Sequence, residues 1–82
     1  MNKEFKISAF LYMPLMTTDL EIESIICNYF NSVEIESIEH RENEIATSFN
    51  VIFESNSVTS AKDYFLKAFN GYDVDNYTIE EN

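Results

Sequence analysis

Residues 33–53 read Val-Glu-Ile-Glu-Ser-Ile-Glu-His-Arg-Glu-Asn-Glu-Ile-Ala-Thr-Ser-Phe-Asn-Val-Ile-Phe, two alternating runs divided by a charged break. In the second run Ile45, Thr47, Phe49, Val51 and Phe53 recur at every other position, the period of a strand with one buried face. In the first, Val33 and Ile35 alternate with Glu34 and Glu36, and the apolar phase then shifts to Ile38. A β-bulge near Ser37 produces such a shift, because one extra residue moves every later side chain to the other face. The polar stretch Arg41 to Glu44 links the two runs into a hairpin.

The flanks of this hairpin decide what it pairs with. Upstream, Phe5, Ile7, Ala9, Leu11 and Met13 alternate with Lys6, Ser8, Phe10 and Tyr12, a strand that Pro14 ends. Thr18 and Glu21 then have the spacing of a capping box, and Ile22, Ile25, Ile26, Tyr29 and Phe30 fall on one helical face. Downstream, Ser57 is placed to cap a second helix whose apolar face is Val58, Ala61, Phe65, Ala68 and Phe69, with Gly71 expected at C′. A last strand is predicted over residues 72–79. The order β-α-β-β-α-β with short links predicts one α+β domain over residues 1–82, a ferredoxin-like βαββαβ sandwich. Its sheet is expected to be antiparallel in strand order 4-1-3-2, with both helices on one face.

Composition allows this core and constrains its partners. Of 82 residues 45% are hydrophobic and 15% aromatic, enough to bury one core, while a single Gly and a single Pro imply short connections. Fifteen Asp and Glu against five Lys and Arg give a formal net charge of −10. That balance argues against direct binding to nucleic acid or to anionic membranes, both of which rest on Lys and Arg neutralising phosphate. A basic protein surface is the natural complement. One cysteine, Cys27, closes no internal disulfide, and no stretch has the character of a secretion signal or membrane span, so a cytoplasmic location is expected. The sequon Asn76-Tyr77-Thr78 then carries no meaning. The richness in Asn, Ile, Glu and Lys suggests an AT-rich genome such as that of a low-GC bacterium or its phage.

Catalytic tools are scarce. The only histidine, His40, falls at the hairpin turn, and Cys27, one position off the apolar helix face, reads as a partly buried, inert thiol. Known users of the expected topology also differ at their functional positions. Acylphosphatases carry an Arg and glycines after the first strand and copper chaperones a cysteine pair; here the stretch is Met13-Pro14-Leu15-Met16-Thr17. Small-molecule sensors of the ACT type commonly place a glycine in that loop, also absent. RNA recognition modules display aromatics on the open face, which Phe10 and Tyr12 match, but the corresponding third-strand positions are Ala46, Ser48, Asn50 and Ile52. Asp73, Asp75 and Glu80 lack the turn glycine of a calcium loop. Neither metal nor cofactor is expected, and the chain is read as a non-enzyme.

The acidic residues are the remaining constellation. Glu34, Glu36, Glu39, Glu42 and Glu44 crowd the hairpin, and Asp73, Asp75, Glu80 and Glu81 crowd the last strand and tail, on the two edge strands of the expected sheet. Alternate strand residues lie roughly 6.6 Å apart, the scale of successive phosphates. Charged edges also keep sheets from pairing with one another, a purely structural use of the same residues. In bulk properties, though in no motif, the chain is similar to the small acidic anti-restriction, anti-CRISPR and glycosylase-inhibitor proteins of phages and mobile elements. The expectation is a nucleic-acid mimic blocking the basic channel of a host defence or DNA-processing protein. Glu34, Glu36, Glu39, Glu42 and Glu44 are the first contacts, Asp73 and Asp75 the second, and Phe10 and Tyr12, with Ile52, an exposed apolar anchor. The alternative is a regulatory or assembly module that forms a homodimer through its sheet and holds a small ligand. An enzyme would need converging carboxylates, such as a pair from Glu34, Glu36 and Glu54.

Overall fold

In the computed structural model, which describes residues 2–82, the chain runs β1 (Lys3–Met13), α1 (Asp19–Cys27), β2 (Ser32–His40), β3 (Ile45–Ser55), α2 (Val58–Ala68) and β4 (Asp73–Glu81). All strand pairs are antiparallel and the sheet order is β2-β3-β1-β4, the expected order counted from the other edge. The βαββαβ arrangement is the ferredoxin-like sandwich.

Alternation in the two central strands builds the core. Ile7, Ala9 and Leu11 of β1 and Ile45, Phe49 and Val51 of β3 are buried with Ile22 and Ile26 of α1 and Phe65 of α2. Phe30 and Phe69, just beyond the two helices, complete the cluster. Phe30 meets Phe53, Tyr64, Phe65 and Phe69 at ring-centroid distances of 5.2, 5.6, 6.1 and 5.9 Å. Each fully buried Phe contributes about 1.5–3 kcal/mol by leaving water, and each well-oriented ring pair about 0.5–1.5 kcal/mol more. One polar group opposes this packing: Thr47, on the core side of β3, buries its hydroxyl without a hydrogen-bond partner.

Several local expectations are corrected. The Thr18 hydroxyl accepts the Glu21 N–H at 3.2 Å, whereas no reciprocal bond from the Glu21 carboxylate occurs among the described residues, so half of the capping box forms. Helix α1 stops at Cys27, which leaves Tyr29 outside it and half exposed and lets the next residue, Phe30, turn into the core. Cys27 itself is exposed rather than partly buried, because the apolar stripe of a nine-residue helix is too narrow to include it. Helix α2 is capped by Ser57, whose hydroxyl accepts the Ser60 N–H at 3.1 Å, but Val58 in its first turn is exposed. The helix closes at Phe69, so Gly71 lies one position later than expected. There, φ of +91° lets the Tyr72 N–H reach the Phe69 carbonyl at 3.0 Å. The last strand is Asp73–Glu81, displaced slightly toward the C-terminus.

Both edge strands are bulged. On β2 the register slips between Ile35 and Ser37, making Glu36 the extra residue; on β4 it slips opposite the Ser8 to Phe10 stretch. Within the second slip Asn76 adopts φ of +54°, and its N–H is held by the Asp75 carboxylate at 2.8 Å. Asn tolerates the left-handed region better than other side chains.

Candidate interaction face

The positions of β1 and β3 that alternate with the core face away from both helices, leaving one side of the sheet without a covering layer. At its centre Asn50 is nevertheless buried. Ser8 Oγ donates to Asn50 Oδ1 at 2.5 Å, and Asn50 Nδ2 donates to Glu36 Oε1 at 2.6 Å. This three-residue chain draws the bulged Glu36 carboxylate over the sheet. The same bulge restores Glu39, paired with Ala46, to the face already occupied by Glu34, paired with Asn50. The row of charges on β2 is therefore less regular than uninterrupted alternation implies, and it has three members on one face instead of two.

The opposite edge supplies a second row. Asp73 pairs with Tyr12, Asp75 with Phe10 and Glu80 with Lys6, which places all three on the open face. Glu4 and Glu54, paired with each other, close one end. Eight of the fifteen carboxylates thus share this face with one strand ammonium, Lys6. Lys6, Glu34 and Asn50 border a small cavity of about 150 Å³.

Between the rows, Phe10 and Tyr12 stack at 6.3 Å with an interplanar angle of 16°. They are half-buried and supported, unlike the bare patch expected. Asn76 Nδ2 donates to the Tyr12 hydroxyl at 3.5 Å, and the Arg41 guanidinium lies 6.0 Å from the Tyr12 ring centre. Arg41 is tied to Glu39 by a 2.9 Å ion pair, whose hydrogen bond and charge raise the guanidinium pKa above its ordinary value. His40 faces Asp19 of α1 at 3.6 Å. Glu42 and Glu44 lie in the hairpin turn, closed by the Arg41 N–H on the Glu44 carbonyl at 2.8 Å. Glu44 joins Tyr12 and Asp73 around a depression of about 340 Å³ at the same end of the sheet.

The structure thus brings together seven of the expected contacts, Glu34, Glu36, Glu39, Asp73, Asp75, Phe10 and Tyr12, and sets Glu42 and Glu44 at the margin. Glu4 and the Ser8–Asn50 support were not singled out by sequence, and Glu54 was named only as a catalytic carboxylate; the pairing register, which no single strand contains, is what adds them to this face. Of the carboxylates named for catalysis, Glu34 and Glu36 both flank Asn50, while Glu54 lies four residues farther along β3, roughly 13 Å away. Among the described residues no group of His, Cys, Asp or Glu is arranged to hold a metal ion, and no helix is long and apolar enough to cross a membrane. No protein-family model, curated protein or solved structure gives a significant match to this chain.

Proposed function

We propose that this chain is a non-enzymatic inhibitor that occupies the basic nucleic-acid-binding channel of another protein, presenting its open sheet face in place of a phosphate backbone. The observation that carries the reading is the asymmetry of the sheet. One face is sealed by apolar residues under two helices, and the other gathers eight carboxylates around one lysine, with Arg41 at its hairpin end. The β2 and β4 rows stand three strand spacings apart, roughly 14 Å, the scale of a duplex groove between its two phosphate strands. Opposite charge steers such a face toward a basic channel and speeds association, while the Phe10–Tyr12 strip supplies apolar area in the middle. Pairing two copies through this face opposes like-charged rows, which argues against the homodimer. An anti-CRISPR or anti-restriction role in a phage-infected cytoplasm is the setting this chemistry fits.

The test is affinity capture of the tagged protein from lysate of a low-GC bacterial host at low and high salt, with duplex DNA or RNA as competitor. A single basic nucleic-acid-binding protein, released by salt and by nucleic acid, is the expected result. Recovery only of a salt-resistant self-dimer contradicts the reading.

A further inference from the structure

The two most exposed large apolar side chains among the described residues, Met16 and Leu20, lie in the Pro14–Leu20 stretch that leads from β1 into α1. Leu15 is 45%, Met16 92% and Leu20 72% exposed, within six residues of one another. Leu15 and Met16 occupy the two corner positions of a β-turn closed by the Thr17 N–H on the Pro14 carbonyl at 3.0 Å. Such corners ordinarily carry Gly, Asn, Asp or Ser, which solvate well. Leucine and methionine there expose apolar area to water, methionine nearly all of it. Leu20 follows four residues after Met16, in the first turn of α1.

The charge around this turn specifies its complement. From Pro14 to Ser24 the chain carries Asp19, Glu21 and Glu23 and no Lys or Arg, and the one nearby imidazole, His40, already faces Asp19. A second copy of this chain would bring those carboxylates against themselves. We infer that the Pro14–Thr17 turn and Leu20 form an apolar anchor for a basic amphipathic helix of the partner. The helix lays its apolar stripe on Leu15, Met16 and Leu20 and its cations over Asp19 and Glu21. Methionine adapts to such stripes because its unbranched thioether repacks at low cost. The inference rests on the proposed basic partner and divides the work: the open face steers, and the turn holds. Loss of the anchor then acts on dissociation, and loss of the carboxylates on association and its salt dependence.

Two probes separate these parts: the amphipathic helical peptide LKKLLKLLKKLLKL and an oligolysine of equal length, each titrated into the full chain and followed by methyl and amide NMR shifts. The expected result is that both peptides bind, that only the leucine-bearing one shifts the Leu15, Met16 and Leu20 methyls, and that Met16→Ser/Leu20→Ser weakens it about tenfold while leaving oligolysine binding unchanged. Both side chains are exposed, and retained amide dispersion of the variant verifies its fold. Equal binding of both peptides, unaffected by the double substitution, overturns the anchor and leaves the acidic face standing. Failure of both peptides to bind overturns the acidic face and the anchor together.

Discussion

Strand β3 carries, residue by residue, two different environments. Phe49 points into the aromatic core against Phe65 and Phe69, at 6.2 and 5.5 Å between ring centres, and the next residue, Asn50, points the other way into a chain of hydrogen bonds to Ser8 and Glu36. Both are buried, the first by helices and the second by the long side chains of neighbouring strands. The contrast teaches that the open face is organised rather than merely wet. Its centre is a fixed polar seam, and its carboxylates stand on either side of that seam in rows.

Substitutions along the strand break the contrast in graded steps. Phe49→Ala removes a fully buried ring and is expected to cost about 3–5 kcal/mol, read as a lower denaturant midpoint. Asn50→Ala strips Ser8 and Glu36 of their shared partner and is expected to cost about 1–3 kcal/mol, with the Glu36 bulge losing protection in amide exchange. Thr47→Val points the other way: it replaces an unpartnered buried hydroxyl with a methyl of equal shape, and a gain of about 1 kcal/mol is expected. At the rim, Glu34→Gln is expected to move stability by no more than about 0.5 kcal/mol, any change being a gain that disappears as added salt screens the repulsion among the carboxylates.

Much of the helix-covered face was legible in the chain. Period-two alternation in β1 and β3 marked Ile7, Leu11, Phe49 and Val51 for the core, and the phase slip before Ile38 announced the β2 bulge. Exact helix ends were less legible, since Tyr29 and Phe30 both fit the apolar stripe and only packing places Phe30 inside and Tyr29 outside. The bulge on β4 left no apolar signal, because Asn76 and Tyr77 interrupt a strand already poor in alternation. The candidate face was legible in its residue types but not in its gathering. Glu34 and Asp73 are far apart in sequence, and their presence on one surface depends on pairing register and on two bulges.

That gathering is what the functional reading stands on, and one comparison addresses it most directly. Two variants with the same change in net charge, Glu34→Lys/Glu39→Lys on the open face and Asp63→Lys/Glu81→Lys on the helix-covered side, are assayed for association rate with the captured basic partner at low and moderate salt. The account predicts that the open-face variant slows association at least about tenfold and flattens its salt dependence, while the helix-face variant stays close to the parent chain. Equal slowing by both variants would contradict the account, since the charge of −10 would then act as a whole rather than through one face.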